Sequence, residues 1–153
     1  MTKHITSHLR IVGLVISYAL VAGSTAVYGQ GTKRQTADIP FQFQVGNTTL
    51  PAGEYNVAAT TSTGETLRIS SRSDDASIFR LSSPLVQNGP ISKGKLVFHQ
   101  YGNEYFLAEV WSAGFTNGRK LAKSGRERTL ERDGNLVGKA NAQKPLEVIV
   151  TLQ

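Results

Sequence analysis

Residues 95–111 constrain the fold more than any other part of this 153-residue chain. Two apolar runs, KLVFHQY and EYFLAEVW, flank Gly102-Asn103. Glycine at the first loop position suits a type II′ turn, which joins antiparallel strands in a two-residue hairpin. That loop length sets a register in which Tyr101 opposes Glu104, His99 opposes Phe106 and Phe98 opposes Leu107. Strict alternation then places Leu96, Phe98, Gln100, Tyr105, Leu107, Glu109 and Trp111 on one face. Val97, His99, Tyr101, Phe106, Ala108 and Val110 share the other. Both faces are largely apolar, so the hairpin is expected at the centre of the structure, covered on both sides.

Shorter runs of period two surround it. Residues 39–45 alternate apolar side chains with Pro40, Gln42 and Gln44, and Gly46-Asn47 closes the run. Leu50-Pro51-Ala52-Gly53 has type I turn chemistry and launches residues 54–60, where Tyr55, Val57 and Ala59 share a face. Residues 67–70 and 77–81 read as two more strands, and residues 146–152 as a strong β run at the end. Residues 82–94 read as a loop, in which Leu85, Val86 and Ile91 either cap the core or line an opening to it. One helix signal interrupts the pattern. Ser124 and Glu127 have capping-box spacing, Gly134 is a natural terminator, and two to three turns must lean on the sheet through Leu130. About seven strands with one short helix before the last indicate an all-β fold. A small antiparallel barrel, which hides the first and last edges against each other, is favoured over a two-sheet sandwich.

The N-terminal residues read as an address rather than a part of this fold. Lys3 and Arg10 precede a twelve-residue apolar run at 11–22, and Val27-Tyr28-Gly29 places small side chains at the third and first positions before a cut. This is the layout of a signal peptide over residues 1–29, and the core is shorter than the roughly 20 residues of a spanning helix. Export to the periplasm or exterior is the expectation, with an inner-membrane anchor through an uncleaved signal as the alternative. Residues 30–38 are polar and small, a flexible tail before a single β domain at 39–153. The chain contains no cysteine, which rules out disulfides and a thioether-linked lipid.

Removing residues 1–29 takes away Lys3 and Arg10, so 17 basic residues fall to 15 against 11 acidic ones, a net +4. Residues 119–139 hold seven bases and three acids, also +4, so the excess lies wholly in this segment. Arg119, Lys120, Lys123, Arg126, Arg128 and Arg132 are therefore the candidates for contact with an anionic envelope surface. Their alternation with Glu127, Glu131 and Asp133 equally suits an ordinary solvated helix.

Catalytic chemistry finds few residues to use. His4 and His8 leave with the signal, so His99 is the one histidine of the mature chain. Zinc sites built on Cys and His cannot be assembled from one histidine, and cysteine nucleophiles are impossible. Placed mid-strand opposite Phe106, His99 reads as a structural histidine beside Tyr101. Glu109 alternates with Leu107 and Trp111 on an apolar face, and would need a partner such as Arg80 or Arg68. Otherwise it belongs, with Tyr55, Phe98, Tyr105, Leu107 and Trp111, to a ligand-contacting surface. No phosphate-cradling loop, dinucleotide spacing or nucleic-acid motif is present, and no cofactor is expected.

Two blocks carry a resemblance. Ile39-Pro-Phe-x-Phe-x-Val-Gly-x-x-x-Leu50-Pro-Ala-Gly-x-Tyr55 is the first. Leu96-Val-Phe-His-x-Tyr-Gly-x-x-Tyr-Phe-Leu107, followed by Val110-Trp111 and Lys123-Ser-x-x-Glu-Arg, is the second. Together they resemble a family of small, uncharacterised exported bacterial β proteins over most of residues 39–132. The resemblance implies export and a β fold, and transfers no activity. The functional expectation is a non-enzymatic domain that binds a small apolar ligand or an envelope component. The alternative is a structural or interaction protein that self-associates or binds a protein partner.

Overall fold

The computed structural model describes residues 35–73, 76–137 and 145–153. The signal at 1–29, the first part of the tail and residues 138–144 lie outside the described residues. Ten strands and one helix follow in order: β1 Gln35–Ile39, β2 Phe43–Val45, β3 Thr48–Leu50, β4 Gly53–Ala59, β5 Thr66–Ser71 and β6 Ser77–Val86. Then come β7 Lys95–Tyr101, β8 Glu104–Trp111, β9 Asn117–Leu121, α1 Gly125–Val137 and β10 Leu146–Thr151. The described residues are mostly β with one short helix before the last strand, as the alternation indicates.

Three strands exceed the expected seven, each for a physical reason. Residues 35–38, expected in the tail, form β1 against β4 because Gln35, Ala37 and Ile39 turn inward and are buried. Ala37 is too small to mark the alternation in a sequence. Pro40, which lacks an N–H, separates β1 from β2. Residues 39–45 are thus divided between β1 and β2, and Gly46, at φ 64°, folds β3 back onto β2. The third, β9, carries a single large apolar side chain, Leu121, and is held by β6 and β8 on either side.

Strand β6 also overrides an expectation. It continues through residues 82–86 instead of opening a loop, pairing with β5 through its first half and β9 through its second. Val86 is 81% exposed, so it does not cap the core. The strand order runs β1-β4-β5-β6-β9-β8, and β7 occupies the second edge of β8 and carries β10. The remaining stretch of the β9 edge of β8 takes β2 in a parallel contact at Gln44 and Phe106. No ladder joins β10 to β1, so the sheet is open. Beyond β10, Gln153 exchanges two backbone hydrogen bonds with Thr36 of β1, at 2.8 and 3.2 Å.

The central hairpin follows the expected register from its turn as far as Phe98 and Leu107. There a β-bulge intervenes. Val97 pairs with Glu109 and Leu96 with Val110, leaving Ala108 as the extra residue. A bulge reverses the alternation beyond it. Leu96 and Phe98 therefore face inward together with Leu107 and Val110, all within the core. Glu109 and Trp111, expected on that face, turn to the opposite one with Val97 and Lys95. Both faces are indeed covered at the centre: Val97, Phe106 and Ala108 are as buried as the core side chains.

Helix α1 begins as its cap dictates, with the Glu127 N–H donating to Ser124 Oγ at 3.0 Å. It runs on to Val137, past the expected stop at Gly134.

Candidate functional site

The six apolar-site candidates do not converge. Tyr55, Phe98, Tyr105 and Leu107 belong to or pack on the interior, which aromatic rings fill. Phe98 meets Phe41 and Phe43 edge-on at 5.2 and 5.4 Å between centroids, and Phe43 meets Tyr55 at 5.1 Å. Phe41 stacks on Tyr105 at 4.1 Å. The Tyr55 hydroxyl donates to the Pro51 carbonyl at 2.8 Å, which holds the ring inward.

Glu109 and Trp111 lie across the sheet from these rings, carried there by the bulge. The indole N–H of Trp111 donates to Glu109 Oε2 at 2.8 Å. Lys95 Nζ stands 5.8 Å above the indole, a cation–π distance, and Lys120 lies opposite Glu109 on β9. Neither arginine expected beside Glu109 is its partner. Arg68 donates to Ser77 Oγ, and Arg80 points to the inner face, in register with buried Leu67.

The six basic candidates are not gathered on one surface either. Lys123 pairs with Glu131, and Arg126 with Glu104, which also accepts from Gln44 Nε2 at 3.0 Å. Arg128 donates to the Lys123 carbonyl, and Arg132 lies 3.6 Å from Asp133. Lys120 is exposed on the outer face of β9, whereas Arg119 shares the inner-face register of Val110. The hydrogen bonds from the Arg126 guanidinium hold the Glu104 carboxyl below the usual carboxylate range.

The polar cluster that does form was not legible as one. Under α1, His99 Nδ1 lies 2.7 Å from Glu127 Oε1, with side-chain exposures of 13% and 5%. The acid expected to close the capping box is thus directed at the sheet. The sequence signal was present in two pieces: His99 and Tyr101 on one strand face, and an acid at the third helical position. Nothing local joins positions 28 residues apart.

Tyr101 completes the cluster. Its ring lies edge-on to Phe106 at 5.8 Å, and its buried hydroxyl has no hydrogen-bond partner among the described residues. Burial, then the charges of Glu127 and Glu131, push the phenol up to about 12. An ultraviolet absorbance titration of the mature protein should therefore show a late phenol ionisation that Tyr101→Phe removes. A phenol that keeps its proton longer in the folded state stabilises fully below the ordinary value of 10.0. That contribution is lost as pH rises through about 12. A late ionisation that persists unchanged in Tyr101→Phe would refute the assignment.

Chemically, this cluster holds protons in place. The imidazole is oriented by a buried carboxylate, and the neighbouring phenol stays protonated. Among the described residues no group of three His, Asp or Glu side chains is placed to hold a metal ion. No helix among them is long and apolar enough to cross a membrane. No family model, curated protein or solved structure matches the chain.

Proposed function

We propose that the chain is an exported, non-enzymatic β domain that works by surface contact with a component of the cell envelope. One observation carries this reading: the interior is filled by the domain's own aromatic rings, while large apolar side chains stand outside. Phe79 and Leu81 project from β6 at 59% and 77% exposure. Their cross-strand neighbours are Arg68 and Thr66. Exposed apolar groups rimmed by polar ones are the usual mark of a contact surface. An internal apolar ligand would instead have to displace the packed rings of Phe41, Phe43, Tyr55, Phe98 and Tyr105.

Export rests on the signal layout of residues 1–29 and on the resemblance over residues 39–132. The non-catalytic reading rests on burial: His99, the one histidine of the mature chain, lies beneath α1 with its side chain only 13% exposed. In architecture we favour the barrel over the sandwich, because Thr36 and Gln153 bond exactly where β1 and β10 would have to meet. Self-association through Phe79 and Leu81 is the second reading, favoured by the same exposure.

Native mass spectrometry on protein recovered from the exporting cell, with sedimentation against isolated envelope material, tests the proposal. The expected result is a chain lacking residues 1–29 and free of small ligands, which sediments with the envelope. Replacing Phe79 and Leu81 together by serine should abolish sedimentation without altering the fold. A full-length mass, a retained apolar ligand, or unchanged sedimentation of the double variant would each count against it. A homodimer broken by the same pair of changes would favour self-association.

A further inference from the structure

Two cations on the outer face of the sheet border the exposed pair Phe79 and Leu81. Arg68 of β5 stands directly opposite Phe79, and Lys120 of β9 directly opposite Ser83 of β6. Phe79, Leu81 and Ser83 alternate along β6 and are all exposed, so they share its outer side. Strands β5 and β9 flank β6, which leaves Leu81 with Arg68 on one side and Lys120 on the other. Each cation is a diagonal cross-strand neighbour of Leu81, roughly 7–8 Å away and within reach of a long side chain.

Both cations are exposed, and neither forms an ion pair among the described residues. Arg68 donates to the neutral Ser77 hydroxyl at 3.1 and 3.3 Å. The acids around this face are placed otherwise. Glu54 pairs with Arg72, and Glu109, opposite Lys120 on β8, accepts the indole N–H of Trp111. Glu65 adjoins Thr66, the partner of Leu81, and alternation turns it to the other side from Thr66 and Arg68. The cations of α1 are less suited to an outside partner, because Lys123 and Arg126 already meet Glu131 and Glu104.

We infer that this strip, Phe79 and Leu81 between Arg68 and Lys120, docks on an anionic lipid bilayer. Such a surface supplies both halves of the chemistry at once. Its phosphates meet the two unpaired cations at head-group level, and its apolar boundary takes the side chains that stand out from β6. The long stems of Arg68 and Lys120 let their charged ends stay at the phosphates while Phe79 and Leu81 sink beside them. The inference rests on the proposed contact with the envelope and gives that contact its partner.

Co-sedimentation of the mature protein with phosphatidylcholine vesicles, with and without phosphatidylglycerol, tests it. Binding is expected only where phosphatidylglycerol is present, and it should weaken as ionic strength rises. Arg68→Gln and Lys120→Gln should each lower the vesicle affinity about fivefold, and replacing Phe79 and Leu81 together by serine should abolish binding. Phe115→Ser, which alters a 55% exposed ring on the β8–β9 loop, should bind as the parent does. All these changes fall on exposed side chains, and thermal melting of each variant by circular dichroism checks that it folds. Equal binding to both vesicle types, charge variants that bind as the parent does, or binding lost in Phe115→Ser would overturn the inference. Sedimentation with envelope material but with neither vesicle would overturn the lipid partner and leave the envelope contact standing. Absence of both would overturn the two together.

Discussion

Replacing Phe98 with alanine should cost the fold about 3–5 kcal/mol, the range for emptying a fully buried aromatic site. The side chain is 0% exposed and touches two other rings edge-on, so its removal leaves a void that neither Phe41 nor Phe43 can fill without losing its own contacts. Domains of this size hold roughly 5–15 kcal/mol in total, so much of the margin goes with one ring. Urea unfolding followed by the fluorescence of Trp111, the chain's single tryptophan, provides the readout. Phe79→Ala serves as the comparison, because its 59% exposed ring should change stability by no more than about 0.5 kcal/mol. Equal losses from the two changes would mean that the interior described above is not the core.

The second large effect should come from adding atoms. Gly118 of β9 lies directly opposite Trp111, and a Cβ placed on it would fall 2.5 Å from the indole. Gly118 does not have a positive φ, so its backbone would otherwise accept a side chain. Elsewhere in a strand, replacing glycine tends to stabilise by restricting the unfolded chain. Here the indole must move, which breaks its bond to Glu109 and its place beneath Lys95. Gly118→Val should therefore lose about 1–3 kcal/mol, the usual cost of overpacking, and shift the indole emission to the red. Trp111→Leu in the same chain should recover part of that loss, because the two residues share one space. A Gly118→Val protein with unchanged stability and emission would show that the indole does not rest on β9.

Much of the architecture was legible in the residues, and its limits have specific causes. The hairpin register could be read because Gly102-Asn103 determines it from the turn outward. The bulge could not, since the run Leu107-Ala108-Glu109-Val110-Trp111 alternates plausibly either way and only the packing of Val110 selects the break. That one extra residue moved Glu109 and Trp111 away from Phe98 and dissolved the proposed ligand surface. Strand β9 was hidden by its polarity, and β1 by the smallness of Ala37. The helix cap was legible because it is local. The destination of the Glu127 carboxylate was not, because it depends on the fold bringing α1 over His99. Arg80 and Arg119 were visible as charges, but their shared inner face follows from strand pairings that no short stretch encodes.

Strand β6 has a consequence for how the domain comes apart. Its first half is hydrogen-bonded to β5 and its second to β9, so the same ten residues belong to both ends of the ladder. Peeling away the β1-β4-β5 side strips one half of β6, and peeling away the β8-β9 side strips the other. Neither side can be lost while the shared strand keeps its full set of partners. Unfolding should then be a single cooperative event, with amides across β5, β6 and β9 exchanging together rather than in separate subdomains. A chain without disulfides thereby gains through one long strand the mechanical unity that a crosslink would otherwise supply.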